Sequence, residues 1–526
     1  MTNSTSNNNP LSFESTSSAL RVPHSALGSA NPQSAIRNPQ SGSGRREFLW
    51  QAGAGFTGLA LAALLDGEGF FGRHLQAATH DLRQPVGNPL AEQAPPIVPK
   101  AKRCIFLFMY GGPSHMDLFD YKPELQKRSG QTVDVEVRRG RVKSQTLMGS
   151  KRKFAQYGQS GQWCSDVLPH LATQMDKMAV IKSLYMDSFA HASALLQMNC
   201  GRVIQGHPSL GAWIGYGLGS MNQNLPAYVV MLDPRGGPIA GAANWMSGYM
   251  PAAYQGTVFR AAGEPILNLS PSEKLPPGAQ RAQIEAINRL NAVHLAERPG
   301  YSELQARIAS YELAFQLQSS APEALDLSQE TRQTQELYGI LDPKPADEVS
   351  VGSEPFGRQC LIARRLVERG VRFVQVYNGG GHNDQNWDAH TDVEHNLAIH
   401  GPEIDKPIAG LLADLEQRGL LDETLVVWGG EFGRQSVVQG GAGRDHNPKG
   451  FTYWLAGGGI KGGISYGETD EIGFEAVTNR HHVRDLHATI LHLMGFDPHK
   501  LTYFYGGLDQ RLTGVNGGEV IRGILA

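Results

Sequence analysis

The sequence predicts an α/β domain with a mostly parallel sheet and helices on both of its faces. Continuous apolar segments of strand length recur along the chain, and segments with helical periodicity separate them. Continuous apolar strands are typical of a parallel sheet that is buried on both sides, and the alternation with helices supplies the crossovers. The composition, 40% hydrophobic and 18% charged over 526 residues, is that of a globular protein able to bury a large core.

The predicted strands and helices alternate through most of the chain. Apolar strand segments cover residues 104–110, 178–184, 227–232, 371–377, 424–428 and 453–456. Helical patterns cover residues 169–177, 191–200, 210–218, 356–368 and 404–418. Residues 255–350 break the alternation with helices near 279–296 and 301–318, which predicts a helical insertion in a domain spanning 101–526.

Residues 45–80 have the pattern of a twin-arginine (Tat) export signal. The pair Arg45-Arg46 precedes a Phe-Leu pair, a weakly apolar run over residues 53–65 and a stretch of small residues. The apolar run is too short for a bilayer-spanning helix, which needs about 20 residues, so no stable membrane span is expected. A short buried helix is the alternative interpretation. We expect export by the Tat translocase to the periplasm or the extracellular space.

Two further segments flank this signal. Residues 1–44 are rich in Ser, Asn, Pro and Gly and lack apolar periodicity, so they are expected to be a disordered leader or to precede the true start codon. Residues 81–100 are expected to be a Pro-rich linker.

Charge and cysteine content exclude several classes of function. The formal net charge is −3 and no polybasic stretch occurs, so nucleic acid is not an expected partner. The four cysteines are far apart without a CxxC pair, which excludes a zinc knuckle or a dense disulfide framework. Small molecules or surface polymers are the expected partners, and the cysteines are expected to be buried apolar residues.

Polar residues that follow the strands are candidate ligands, because the carboxyl ends of parallel strands meet at one edge of the sheet. Paired glycines follow the first strand, and His115 and Asp117 lie three and five residues after the second glycine. The loop after residues 371–377 contains Asp388 and His390, which can point to one side of an extended segment and hold one ion. A hydrogen-bonded loop without metal is the alternative.

The next strand leads to further candidates. Two glycines and then Glu431 follow it, and His446 comes fifteen residues after Glu431. Mixed imidazole and carboxylate ligands favour zinc, manganese or iron over calcium or magnesium, so we expect a divalent metal, zinc or manganese. Arg434 and Arg444 are candidates to bind a sulfate or phosphate group through bidentate hydrogen bonds. The alternative is that they pair with Glu431 or Asp445.

Several long motifs resemble those of the bacterial family called domain of unknown function 1501 (DUF1501). In order along the chain they are GGPSHMD, DYKPE, WDAH, GLLDETLVVWGGEFGR, GRDHNP, LAGGGIKGG and DLHATILHLMGFD. The resemblance covers residues 100–525. That family looks like a sulfatase-like branch of the alkaline phosphatase superfamily, so the resemblance implies an alkaline phosphatase/sulfatase-like α/β fold.

The superfamily resemblance implies one metal in particular. Asp388 and His390 are similar to its Asp and His ligands, and His446 resembles its distal histidine ligand. The superfamily often separates the first two ligands by three residues, whereas one residue intervenes here. Asp384 is therefore a rival to Asp388.

The resemblance implies less about a second metal. Glu431 stands where an Asp-His pair would begin, and Phe432 occupies the place of the histidine. Asp117 or His115 takes the part of the aspartate that usually follows the first strand directly, where this chain has Gly111.

The nucleophile does not follow the sulfatase pattern, because no Cys/Ser-x-Pro-x-Arg motif occurs. The segment after the second strand is loosely similar to the nucleophile helix of cofactor-independent phosphoglycerate mutases. It places Ser193 or His191 towards the metal, with His191 also a candidate ligand. Water activated by the cation is the alternative nucleophile.

The resemblance implies two functions from different classes. One is an exported metal-dependent hydrolase of sulfate or phosphate esters, acting on an anionic substrate such as a sulfated or phosphorylated polymer. The other is a non-catalytic sulfatase-like binding protein of the cell envelope. A phosphomutase is a third possibility, and it would need Ser193 as the phosphorylated residue.

Overall fold

A nine-stranded sheet forms the centre of the part of the chain that the structure describes. The computed structural model describes residues 88–137, 141–260, 278–297, 302–381 and 385–526. In chain order the strands of the sheet are β1 (Arg103–Met109), β2 (Met178–Tyr185), β3 (Tyr228–Met231), β4 (Thr257–Phe259), β5 (Phe373–Asn378), β6 (Thr424–Gly429), β7 (Phe451–Ala456), β8 (Ile464–Tyr466) and β9 (His481–His482). The leader and the Tat segment lie outside the described residues, as does Asp384.

The sheet is mostly parallel, as the continuous apolar strands predict. Its order is β8-β2-β7-β6-β1-β5-β3-β4, and β9 pairs with β2 beside β8. β7 is antiparallel to both of its neighbours, and every other pairing is parallel. The carboxyl ends of β1, β2, β5 and β6 therefore point in the same direction.

Helices cover both faces of this sheet. In chain order, the helices of the described residues, on the sheet faces or beside the sheet, are α1 (His115–Leu118), α2 (Pro123–Lys127), α3 (Pro169–Ala172), α4 (His191–Cys200), α5 (Leu210–Leu218), α6 (Ala279–Glu297), α7 (Ser302–Leu325), α8 (Arg332–Leu337), α9 (Ser353–Glu368), α10 (Val393–Gln417) and α11 (Val483–Leu493). Shorter strand pairs lie outside the sheet: Thr132–Val137 with Arg141–Thr146, Phe154–Tyr157 with Gln162–Ser165, Gly433–Arg434 with His446–Asn447, Glu468–Thr469 with Ala476–Thr478, and Tyr503–Tyr505 with Leu508–Gln510.

Two hydrophobic cores lie on opposite faces of the sheet. In β1, Ile105 and Leu107 belong to one core, whereas Phe106 and Phe108 belong to the other. The first core includes residues of α9 and α10, and the second includes residues of α4, α5 and α11. This alternation explains why the strand is apolar at successive positions, and it confirms the predicted helical layers on both faces.

Some helix and strand boundaries differ from the prediction, and a capping side chain accounts for one of them. α10 begins at Val393 rather than at residue 404, because the carboxylate of Asp392 accepts hydrogen bonds from the first amides of the helix. The helix continues through Pro402 and Pro407. β4, which opens the region predicted to be an insertion, adds to the sheet beside β3.

The four cysteines are free and buried, as expected. Burial raises the pKa of the Cys200 thiol to about 12, so it stays protonated at neutral pH. Among the described residues, no helix combines the length and the apolar character that crossing a bilayer requires.

Candidate metal centre

The side chains of the site follow the carboxyl ends of three strands of the sheet. β2 leads into α4, whose first residue is His191, and the loop after β5 carries Asp388 and His390. β6 ends directly before Gly430 and Glu431, and His446 lies in the short ladder that follows. Residues that are far apart in sequence therefore meet at the sheet edge where the sequence predicts ligands.

Among the residues that the structure describes, one group of four side chains can hold a metal ion: His191, Asp388, His390 and His446. Their ligand atoms all lie within 4.8 Å of one another. The Nε2 atoms of His390 and His446 lie 3.0 and 3.1 Å from Asp388 Oδ1, and His191 Nε2 lies 3.1 Å from Asp388 Oδ2. Three imidazoles thus surround one carboxylate.

Each imidazole is oriented by an oxygen at its other nitrogen. His191 Nδ1 lies 2.6 Å from the Glu431 carboxylate, and His390 Nδ1 lies 2.5 Å from the amide oxygen of Gln439. His446 Nδ1 lies 2.8 Å from the carbonyl oxygen of Phe189. Because these oxygens only accept, we assign the proton to each Nδ1. The Nε2 lone pairs of neutral rings then point into the cluster, which is the arrangement of metal-binding histidines.

Burial and neighbouring charges shift the pKa values of three cluster residues, lowering two of them and raising the third. Burial favours neutral Asp388, but Arg434 and the three histidines outweigh it and hold the pKa of this carboxyl far below its usual range. Burial opposes a charge on His191, yet the neighbouring carboxylates of Asp388 and Glu431 raise its pKa to about 9. Burial lowers the pKa of His446 to about 4 despite its bond to Asp388. Without metal, the His191 ring therefore carries a second proton, on Nε2, at neutral pH, and a bound cation would displace this proton.

Glu431 lies behind the cluster rather than in it. Its carboxylate is fully buried and accepts hydrogen bonds from the Gly111 amide at 3.0 and 3.1 Å and from His191. The structure thus places this predicted ligand as the carboxylate partner of a histidine. Such partners fix the ring and make its free nitrogen a better donor to metal.

Both candidate anion-binding arginines are fully buried and bonded to the protein itself. Arg434 donates to Asp388 Oδ1 at 2.6 Å, to the Gly112 carbonyl at 2.8 Å and to the Gly111 carbonyl. Arg444 donates to the two oxygens of Asp117 at 2.8 and 3.3 Å. Neither pairs with Glu431 or Asp445 in these contacts. Arg434 positions Asp388, and the Arg444 ion pair stabilises the adjoining loop.

The structure does not bring the remaining candidates into the four-residue cluster. Asp117 is buried against Arg444 and Ser114. His115 is buried, with Nε2 2.8 Å from the Gly473 carbonyl. Ser193 is half-buried two residues after His191 in α4, about 200° around the helix, so the two side chains project in different directions.

Two orienting groups were not foreseen from the sequence. Gln439 and the Phe189 carbonyl fix the His390 and His446 rings. A glutamine in a glycine-rich loop and a backbone carbonyl carry no pattern that would single them out. Their roles exist only because the folded loops approach the histidines.

The donor set fits a divalent transition metal. Three neutral imidazoles and one carboxylate are four ligands of the kind that zinc takes in proteins. His191 Nε2 is buried and has no well-aligned hydrogen-bond partner among the described residues. A cation at the centre of the cluster would satisfy this atom and separate the two facing lone pairs of His390 and His446.

Several solved structures resemble the chain at low sequence identity. The lipoteichoic acid synthase LtaP from Listeria monocytogenes is 10% identical, with 79% of this chain and 75% of that chain covered and a TM-score of 0.35. The PsFucS1 sulfatase from Pseudoalteromonas sp. is 11% identical, with 80% and 73% covered and a TM-score of 0.31. The alkaline phosphatase from the Antarctic bacterium TAB5 is 12% identical, with 72% and 96% covered and a TM-score of 0.28.

Sequence comparison identifies the family. No curated protein sequence matches the chain. The family model described as protein of unknown function (DUF1501) matches residues 101–525. The chain therefore belongs to the DUF1501 family, which confirms the family that its motifs predict.

Proposed function

We propose that this protein is an exported, metal-dependent hydrolase of sulfate or phosphate esters. The observation that carries the proposal is the convergence of three histidine Nε2 atoms on the Asp388 carboxylate, with every Nδ1 already bonded to an oxygen. A protein that used these rings only for packing would have no need to direct all three free nitrogens to one point.

In this proposal the four cluster residues hold one divalent cation, zinc or manganese. When bound, the cation supplies Lewis-acid polarisation of an ester oxygen and favours a nucleophile at neutral pH. Glu431 and Gln439 keep the His191 and His390 rings in place, and Arg434 fixes Asp388. The substrate is an anionic ester, carried by a small molecule or by a sulfated or phosphorylated polymer.

Export through the Tat translocase belongs to the same proposal. Arg45-Arg46 is the supporting sequence feature. The metal ligands come from loops after three strands, so they meet only once the domain has folded. Folding before export would let the cytoplasm supply the metal, because metal affinity and folding are coupled in such a site.

A non-catalytic binding protein of the cell envelope is the second candidate. The observation that favours it is the complete burial of Arg434 and Arg444, whose guanidinium groups are engaged by protein oxygens. An ester hydrolase would need other positive groups to neutralise its substrate. Such a binding protein would retain the metal and lack turnover.

One experiment separates the two candidates. The full chain is purified after export, its metal content is measured, and aryl sulfate and aryl phosphate esters are assayed with wild type and Asp388→Asn. The hydrolase proposal expects about one metal per chain and turnover that Asp388→Asn abolishes. Asp422→Asn, an exposed carboxylate outside the site, is the matched control and should behave as wild type.

The possible outcomes differ for each part of the proposal. Bound metal without turnover on a broad ester panel would favour the binding protein. A chain that takes up no metal at saturating zinc or manganese would contradict the metal centre. For export, replacing Arg45-Arg46 with two lysines should leave the protein in the cytoplasm, and unchanged export would contradict the Tat assignment.

A further inference from the structure

A surface at the far end of α4 from His191 combines aromatic rings with arginines. α4 is ten residues long, so its last residue, Cys200, lies about 14 Å from His191 along the helix axis. Gly201 ends the helix in a left-handed conformation, and Arg202 follows. We define the arginine-tyrosine patch as five residues that lie here: Arg202, Tyr249, Arg484, Tyr505 and Arg511.

The aromatic part of the patch is flat and partly open to solvent. The rings of Tyr249 and Tyr505 are stacked, with centroids 4.7 Å apart and planes 13° from parallel. His207 packs its edge on Tyr249 with centroids 5.6 Å apart. Tyr505 remains 52% exposed, and in the loops that carry the patch arginines Ile204 is 61% and Val515 is 81% exposed. The Tyr505 ring is therefore accessible to a ligand from solvent.

Among the described residues, the arginines of the patch have no acidic partner. In the described part of the chain, no carboxylate lies within ion-pair distance of Arg202, Arg484 or Arg511. Asp485, adjacent to Arg484, is bound to His481 at 3.0 Å. Burial lowers the pKa of Arg202, the neighbouring Tyr249 acts to raise it, and the like charges of Arg484 and Arg511 lower it further.

Local packing holds two of these arginines in place. The Arg202 guanidinium lies over Gly514, where any side chain would displace it, and it donates to the Gly201 carbonyl at 3.4 Å. Arg511 donates to the Val515 carbonyl at 3.2 Å. Each of these contacts uses only part of the five donors of a guanidinium, so donors remain for an anionic ligand.

We propose that the arginine-tyrosine patch binds a polysaccharide chain that carries sulfate or phosphate ester groups. Guanidinium forks match the oxygens of both esters in a bidentate manner, and a rigid, amphipathic tyrosine ring offers a flat surface for the face of a sugar. The proposal rests on the proposed hydrolase function only in naming the polymer that the enzyme would act on. The binding itself requires no turnover.

Binding is tested on the full chain with fluorescently labelled dextran sulfate, phosphorylated dextran and neutral dextran, by anisotropy at fixed ionic strength. Wild type should bind one or both anionic polymers and not the neutral one. The double variant Arg202→Ala and Arg511→Ala should weaken this binding at least tenfold, and Tyr505→Ala should weaken it several-fold. When Arg202→Lys replaces Arg202→Ala, the charge is kept but the paired N–H donors of the guanidinium are lost. This change should therefore recover only part of the affinity that Arg202→Ala removes.

Arg332→Ala is the matched control. Arg332 is 82% exposed on α8, and its loss should leave polymer binding unchanged. An equal loss in this variant would show unspecific charge attraction and would overturn the proposal. Equal binding of neutral dextran, or unchanged affinity in both Arg511→Ala and Tyr505→Ala, would overturn it as well. Binding only to anionic phosphatidylglycerol vesicles would assign the patch to a lipid surface instead.

The polymer assay and the ester assay fail independently. If aryl esters are not turned over while dextran sulfate binding depends on the patch, the hydrolase function is wrong and the patch stands. If turnover depends on Asp388 while no anionic polymer binds, the patch proposal is wrong and the hydrolase stands.

Discussion

The Nε2 atoms of His390 and His446 lie 2.9 Å apart, although the Nδ1 atom of each ring is bonded to an acceptor oxygen. With both Nδ1 atoms protonated, two lone pairs face each other unless a proton or a cation lies between them. Both nitrogens also lie within 3.1 Å of Asp388 Oδ1. This relationship is the strongest structural reason to expect a cation.

Metal removal should therefore destabilise the folded protein. A ligand that binds only the native state at about 100 times its Kd stabilises it by about 2.7 kcal/mol. Chelation should lower the Tm, and added zinc or manganese should restore it. In His446→Ala this response to chelator should be much smaller, and an undiminished response in that variant would contradict the site.

Replacing Glu431 distinguishes a supporting role from direct ligation. Glu431→Gln should reduce metal affinity about 10- to 100-fold, because groups that orient ligating histidines have effects of this size. Titration with zinc should still reach the wild-type stoichiometry. Glu423→Gln, a partly exposed carboxylate paired with Lys102, is the control and should bind zinc as wild type does. Loss of one metal equivalent at saturation would show that Glu431 is itself a ligand.

The ion pair between Asp117 and Arg444 should matter for stability rather than for substrate binding. Both side chains are fully buried, so Arg444→Ala would leave an unpaired buried carboxylate and should destabilise the fold by about 3–5 kcal/mol. Chemical denaturation measures this loss. Arg332→Ala, on the surface, should change stability by no more than about 0.5 kcal/mol. Wild-type stability of Arg444→Ala together with a raised KM would instead place Arg444 at the substrate.

Glu403 should make the fold sensitive to acid. Burial acts to raise its pKa, but bonds to His400 and Arg235 outweigh burial and lower the pKa from 4.5 to about 2. The Glu403 carboxyl is a stronger acid in the folded protein than in the unfolded chain. Its contribution to the free energy of unfolding is therefore fully present above about pH 4.5 and is lost as the pH falls through about 2. The full contribution is about 3 kcal/mol, of which about 2 kcal/mol is lost by pH 3.

The measurement is chemical denaturation at pH 6 and pH 3. Wild type should lose more stability between these pH values than Glu403→Gln, by the amount that Glu403 contributes. Because the variant removes one charge from a network with Arg235, its absolute stability at pH 6 should be lower. An identical pH dependence in both proteins would contradict the lowered pKa.

The fold was predictable from the sequence because burial on two faces leaves a direct signal. In β1, side chains pack alternately into the two cores, so the strand has to be apolar throughout. Boundaries were less predictable. The start of α10 depends on the Asp392 cap, whereas the apolar pattern became clear only after Pro402.

The site was predictable in its location and only partly in its detail. Asp388, His390 and His446 follow strands, and the sheet topology alone brings their segments together. The Gly111 amide holds the Glu431 carboxylate behind His191 rather than among the ligands. This contact joins residues that are 320 positions apart in the sequence. Sequence position predicts that two loops are neighbours, but it does not predict which atoms meet.

Gly111 should be required for the loop that carries Asp388. Its φ is +112°, and a Cβ atom there would lie 2.5 Å from the Trp387 amide nitrogen and 2.6 Å from that of Asp388. Gly111→Ala should therefore push this loop away from the other ligands. We expect lower metal affinity and a loss of stability beyond the 1–3 kcal/mol, roughly, that a left-handed non-glycine residue costs.

Gly130→Ala is the matched control for this substitution. Gly130 has a φ of +87° and no atom within 4 Å of its Cβ position, so the variant has the backbone strain without the collision. It should lose stability through backbone strain alone and keep the metal affinity of the wild type. Metal titration and chemical denaturation of both variants separate the two effects. If both variants bind metal as wild type does, the close approach of Gly111 to the Asp388 loop does not hold the ligand in place.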